Sequence, residues 1–338
     1  MERIGIPYLG TAEVFDGLRT ENPIEAMWGE LNMSADPTYL KKIRPAMSGE
    51  LASYICMTIR QAYEYYLASI HVSYMTKPLL IYYSHLNLAK AAIAFKNNCT
   101  PPPHHGLTSY REGIDMKCCT ATICKGVFSE LGDLTKSNVA EGDVIQADEF
   151  CKRIIELLND YYRYFGKIPV MIPCNITRYA GGTISLMIDK KRLEESPNLE
   201  TILTKKLHSH FAKECYNEAG SLVLKNTFPV PKTEEGMDKY GDLILNQYFC
   251  YSTLHDNRYY LDISERHLSQ ECCYFGLMFI LGSVVRYSPI LLYKWIYDFD
   301  MSNKAFIEKI CSISSRVFPN LMLNLMYGRK LKYSPSFI

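Results

Sequence analysis

The chain has 338 residues, 48% of them hydrophobic and 22% charged. Those shares are ordinary for a globular protein, so the chain can bury a core without disulfide or metal staples, and a disordered chain is excluded. Its 37 basic and 36 acidic residues leave a net charge of +1, which excludes a global pull toward nucleic acid or anionic membrane and leaves only local patches.

Residues 1–46 read as irregular, with one short helix over Pro23–Leu31 opened by Pro23 after Asn22. Pro37 and Pro45 punctuate the stretch up to Ser48. Leu51, Ile55, Ile59, Ala62, Tyr66, Leu67 and Ile70 recur at three- and four-residue spacing and predict an amphipathic helix, with Ser48 as its N-cap. After a break at Ser73–Lys77, Pro78 opens a second helix that runs through Leu79, Tyr83, Leu86, Ala91 and Phe95. The two form an antiparallel hairpin. Thr100–Gly106 (TPPPHHG) must be a loop, because three prolines cannot continue a helix. Glycines at 113, 126 and 132 predict loop with short strand-like pieces over Lys117–Val127. A third amphipathic helix is predicted over Ala147–Phe165.

The middle changes character. Gly181-Gly182 followed by Thr183–Ile188 reads as a turn and a strand, and Leu222–Phe228 also reads as a strand. Leu199–Tyr216 reads as a charged helix. Leu243–Leu254 and Arg258–Ile263 flank His255-Asp256-Asn257 as a hairpin. From Ser264 onward helices return near 265–286, 289–299, 302–317 and 319–327, separated by Pro289, Asp300 and Pro319. The predicted fold is mainly α: N- and C-terminal helical regions (1–170 and 264–338) that pack together, around a small α+β insert at 171–263. Strands and helices do not alternate there as a doubly wound sheet requires.

Twelve cysteines invite a disulfide reading, but the start MERIGIPYLG lacks an export signal, so reduced thiols and a cytoplasmic location are expected. Cys56, Cys151, Cys250 and Cys311 sit in apolar patterns as small hydrophobes. The apolar run Cys272–Val285 is shorter than the roughly 20 residues that span a bilayer, so it reads as a buried core helix and no membrane association is expected. The 26 tyrosines, against 14 phenylalanines, favour half-buried and interface positions and hence a partner.

The hairpin carries a recognisable signature: Arg60-Gln-Ala-Tyr-Glu-Tyr-Tyr66, Ser73, then Lys77-Pro-Leu-Leu-Ile-Tyr-Tyr-Ser-His-Leu-Asn-Leu-Ala-Lys-Ala91. It resembles the YaaC-like family, as do His105-Gly-Leu107, Arg286-Tyr-Ser-Pro289 and Phe318-Pro-Asn320. The resemblance implies a helical core similar to HEPN-type domains, many of which cleave RNA in bacterial conflict and phage defence. Their activity uses an arginine followed four to six residues later by a histidine. That spacing does not occur here: Arg60 and His71 have ten residues between them, Arg258 and His267 have eight, and Arg266 adjoins His267.

Polar residues that interrupt the apolar hairpin are the first site candidates. Arg60, Lys77, Asn87, Lys90 and, near the C-terminal end, Arg286 could hold a phosphate or nucleic acid, since arginine and lysine donate to anionic oxygens. His85 and the loop histidines His104 and His105 are candidate catalytic acids or bases. Each has a commoner structural explanation: Arg60 paired with a carboxylate such as Glu64, Asn87 bonded to a loop carbonyl, and the histidine loop as a plain surface turn. Cys118, Cys119, Cys124, Cys272, Cys273, His208 and His210 lack zinc-site spacing, and Tyr179–Thr183 is a turn followed by a strand rather than a phosphate-holding helix. No metal or other cofactor is expected. The functional expectation is an interaction or regulatory subunit of a bacterial antiviral system, working with a protein partner or as a homo-oligomer and with nucleic acid as a further partner. The alternatives are a metal-independent nuclease acting on RNA or single-stranded DNA, and a nucleotide sensor.

Overall fold

A computed structural model of the chain describes residues 3–4, 13–111, 115–179, 182–196, 198–228, 230, 233–252, 258–298 and 301–334. The chain is mainly helical and divides into two compact units. One is helical and comprises Asp16–Pro169 and Leu268–Ile338. The other is built on a sheet and comprises Met1–Phe15 and Val170–His267.

The helical unit is organised around two central helices, Lys77–Asn97 and Gln270–Tyr287. A helix that is apolar all round belongs inside a core, and both qualify: Cys272–Val284 is buried without exception, and Ser84–Phe95 is buried except at Lys90. Gly49–Ile70 packs against Lys77–Asn97 as the other arm of the hairpin. Its start is fixed locally, because the Ser48 hydroxyl accepts the Leu51 N–H at 3.1 Å. Ser84 Oγ donates to the Ala62 carbonyl at 2.9 Å and ties the two arms together. The C-terminal helix Met301–Tyr327 also lies on Lys77–Asn97.

Several elements differ from their sequence-based expectation. Pro37 opens a helix, Pro37–Ile43, in a stretch read as irregular; Asp36 Oδ1 caps it by accepting the Thr38 N–H at 2.7 Å. Val127–Leu134 is a helix in a stretch read as loop. Its Gly132 is a packing glycine, since a Cβ there would meet Val139 Cγ2 at 2.5 Å. Ala147–Phe165 is not one helix but three short pieces: Ala147–Cys151, a 3-10 turn at Ile155–Leu157, and Leu158–Phe165. Gln270, from the other central helix, holds the break open. Its amide donates to the Arg153 carbonyl at 2.5 Å and accepts the Ile155 N–H at 3.3 Å. Pro319 lies inside Met301–Tyr327 instead of ending it. Phe318, Met322 and Leu323 are buried on either side, and that packing outweighs the roughly 3 kcal/mol a proline takes from a helix interior.

In the sheet unit the strand order is Phe249–Tyr251, Tyr259–Asp262, Met171–Tyr179, Thr183–Ile188, Leu222–Asn226, Phe211–Tyr216, with Arg3–Ile4 also pairing with Met171–Tyr179. Every pairing among the described strands of this unit is antiparallel. Helices Leu199–Leu207 and Glu234–Tyr248 contribute Leu199, Leu203, Leu207, Ile244 and Tyr248 to its core. The expected charged helix over Leu199–Tyr216 therefore ends at Leu207, where its four-residue leucine spacing stops. The remainder, Phe211–Tyr216, is the exposed edge strand. Likewise Leu243–Tyr248 is helical, and only Phe249–Tyr251 pairs with Tyr259–Asp262. The turn residues His255–Asn257, together with Gly181 and Asp300, lie outside the described residues. A half-buried ion pair, Arg178 Nη1 to Asp238 Oδ1 at 2.8 Å, ties a strand of this unit to helix Glu234–Tyr248.

All twelve cysteines are free thiols. Among the described residues no single helix is long and apolar enough to cross a membrane. Gln270–Tyr287 and Pro289–Asp298 reach that length only as a pair bent by 111°.

Candidate functional site: a cation cluster around Tyr82

Tyr82 lies in the first half of Lys77–Asn97, and eight residues on, on the same helix face, is Lys90. The opposing helix approaches this face through Gly282. A Cβ at that position would meet Tyr82 Cβ at 3.2 Å. One turn beyond Gly282, Arg286 lays its guanidinium over two rings, 5.7 Å from the centre of Tyr82 and 5.0 Å from that of Tyr287. Its only hydrogen bond to a described residue is a long one, Nη2 to Ser283 Oγ at 3.4 Å, and its buried Nε has no partner among them.

The third contribution comes from the proline loop. Val127 N–H donates to the His104 carbonyl at 2.9 Å, Phe128 N–H to the His105 carbonyl at 3.0 Å and Cys124 N–H to the Gly106 carbonyl at 2.9 Å. The first turn of Val127–Leu134 thus grips the loop by its backbone. His105 packs 5.1 Å from Phe279 and 6.5 Å, edge-on, from Tyr82. Its Nδ1 accepts the Leu107 N–H at 3.2 Å, so the neutral ring carries its proton on Nε2. Burial, and then the positive charges of Arg286, His104 and Lys90, hold its pKa below the ordinary histidine value. Burial also lowers the pKa of Lys90.

Tyr82 is fully buried and its hydroxyl has no hydrogen-bond partner among the described residues. Burial raises its pKa, while the charge of Arg286 acts to lower it. Among the described residues no carboxylate pairs with Lys90 or Arg286. Arg286 and the neutral His105 N–H therefore lie beside the Tyr82 ring, the charge of Lys90, about 12 Å further along the helix, acts on His105, and among the described residues nothing negative pairs with either cation. This is a donor set for an anionic oxygen.

The other sequence candidates lie elsewhere. His85 is 1% exposed, stacks 4.0 Å from Phe318 and donates Nε2–H to the Ser314 carbonyl at 3.1 Å. Burial pushes its pKa down to about 3. That ring is a neutral core residue. Arg60 Nη2 donates to the Ala35 carbonyl at 2.9 Å rather than to Glu64. Asn87 Nδ2 donates to Gln61 Oε1 at 3.0 Å rather than to a loop carbonyl. Lys77 lies 4.9 Å from the centre of the Tyr74 ring, thirteen residues and so about 20 Å along the helix from Lys90. His104 is exposed at the rim of the cluster. Sequence reasoning missed Tyr82 and Tyr287. Their signals were the eight-residue spacing to Lys90 and direct adjacency to Arg286. Among the described residues no three His, Cys, Asp or Glu side chains gather as metal ligands.

Compared with known proteins, residues 37–326 match the family model described as YaaC-like Protein. No curated protein and no solved structure matches the chain.

Proposed function

The chain belongs to the YaaC-like family, and from that premise we propose that it is a regulatory or interaction subunit that binds a phosphate-bearing ligand through Lys90, His105 and Arg286. One observation carries the reading: Arg286 and His105, from separate segments, pack against the ring of buried Tyr82, the charge of Lys90 acts on the same imidazole, and among the described residues no carboxylate pairs with Lys90 or Arg286. The protonation of His105 supports binding over catalysis. With Nδ1 occupied by the Leu107 N–H, the ring offers Nε2–H as a donor and has no free lone pair for a general base. Its lowered pKa also leaves little imidazolium to act as an acid. The resemblance of the helical hairpin supports a HEPN-like helical unit and a cytoplasmic role in bacterial antiviral defence beside a protein partner, with ligand binding as the signal passed on.

The test is thermal stability of the purified protein with inorganic phosphate, pyrophosphate and ATP. A ligand that binds only the folded state at a hundred times its Kd stabilises by about 2.7 kcal/mol. Wild type is expected to melt higher with at least one of the three, and Lys90→Gln and Arg286→Gln to lose that shift. Absence of any shift in wild type overturns the reading. Metal-free cleavage of RNA or single-stranded DNA that His105→Ala abolishes would replace it with a nuclease.

A further inference from the structure

Immediately after Arg286 the chain turns through 111° into Pro289–Tyr293 and a π-helical turn, Lys294–Asp298. The inner face of this segment is explained by the core: Leu291, Leu292, Trp295 and Ile296 are buried. Its outer face is not. Tyr287 is 76% exposed, Ile290 75%, Tyr293 50% and Tyr297 54%. Residues 290, 293 and 297 are spaced by three and four and share one side, with the exposed Lys294 among them. Tyr293 and Tyr297 already lie with ring centres 4.9 Å apart. Single exposed apolar residues are normal, but four within eleven positions form a strip.

We infer that this strip is a stacking platform for a single-stranded nucleic acid whose phosphate sits at the Lys90–His105–Arg286 cluster; the inference rests on the phosphate-binding reading above. Two relationships favour that occupant. The strip begins at the cluster itself, because Arg286 holds its guanidinium 5.0 Å from the centre of the Tyr287 ring. A phosphate on Arg286 therefore places the attached base beside an exposed tyrosine. The strip also continues for about 10 Å from Ile290 to Tyr297 at about 1.5 Å per residue, more than one base can cover. Exposed rings beside unpaired cations are the chemistry that single strands use, since every base has a face to stack and every link a charge to neutralise. A duplex hides those faces. Exposed Asp298 marks the far end, where a phosphate would be repelled.

The experiment measures binding of a fluorescent twelve-nucleotide single strand, of the same sequence as a duplex, and of pyrophosphate by thermal shift. The proteins are wild type, Tyr287→Ala, Tyr293→Ala, Tyr297→Ala and Arg286→Gln. The tyrosines are exposed, so the variants are expected to fold; far-UV circular dichroism checks this. Wild type should prefer the single strand, and its affinity for that strand should fall as salt rises. Each tyrosine variant should lose roughly tenfold in strand affinity, and Tyr293→Ala and Tyr297→Ala, which lie outside the cation cluster, should keep the pyrophosphate shift. Arg286→Gln should lose both. Tyrosine variants that bind the strand as wild type does would overturn the inference. So would wild type that binds pyrophosphate but no strand, which leaves the phosphate-binding reading standing; loss of both ends both. A strip that proves to be a dimer contact, with Tyr297→Ala monomeric and strand binding intact, or one that docks on phosphatidylserine vesicles without binding the strand, also overturns it.

Discussion

Gly106 and Gly126 meet backbone against backbone: a Cβ on Gly126 would lie 2.6 Å from Gly106 Cα and 2.6 Å from the His104 carbonyl oxygen. The contact seats the His104–His105 loop on the first turn of Val127–Leu134. Gly126→Ala has nowhere to put its methyl except by moving backbone, which small-to-large changes answer with about 1–3 kcal/mol of destabilisation. We expect urea unfolding to report that loss and the pyrophosphate-induced rise in melting temperature to disappear, since His105 moves with the loop. A variant that kept the full shift would show that this contact does not set the position of the ring.

His85 gives a pH dependence of known sign. Its pKa is pushed down from 6.5 to about 3 in the folded chain. The stability tied to the neutral ring is fully present above pH 6.5 and is lost as pH falls from there toward 3, at about 1.4 kcal/mol per unit. His85→Gln can still donate to the Ser314 carbonyl but does not titrate. Its unfolding free energy should fall less steeply than that of wild type between pH 6 and 4, by about 2 kcal/mol over the interval. Parallel slopes would exclude His85 as the titrating group.

Gly276 marks a second tight seam, between Gln270–Tyr287 and Ala147–Cys151. A Cβ there would lie 2.4 Å from Phe150 Cζ. Gly276→Ala should destabilise by about 1–3 kcal/mol. Trimming the obstacle with Phe150→Leu should make the double variant more stable than the sum of the two single changes implies. Strict additivity in chemical denaturation would refute the steric account.

Gln270→Leu keeps the volume and removes both bonds that hold the break at Arg153 and Ile155. The loss should be about 1–3 kcal/mol for each buried group deprived of its partner. Hydrogen exchange at Ile155 should quicken more than at Cys56, which is remote from the change.

The helical hairpin was legible because its signals are local. Ser48 caps three residues ahead, and the apolar spacing from Leu51 to Ile70 needs no other part of the chain. What was not legible depended on distant partners. The interruption of Ala147–Phe165 is imposed by Gln270, more than a hundred residues away. The persistence of Met301–Tyr327 through Pro319 comes from burial on all sides of Phe318. The candidate site divides in the same way. Lys90, His105 and Arg286 each stand out as polar residues in apolar surroundings, but only the close approach at Gly282 groups them. Tyr82 stayed hidden because a tyrosine within an apolar stripe reads as core until its hydroxyl is found without a partner.

The helical unit closes through contacts such as the one between His85 and Ser314, 229 residues apart in the chain. On a ribosome that adds about 5–20 residues per second, the Lys77–Asn97 helix must wait about 10–50 s for the helices that bury it. The sheet unit is synthesised within that interval, and its described strands from Met171 to Asp262 pair with one another at much shorter range. The nascent chain therefore carries a finished insert and an open hairpin together. In that interval the apolar faces around Tyr82 are exposed to any chaperone or partner that arrives before residue 314.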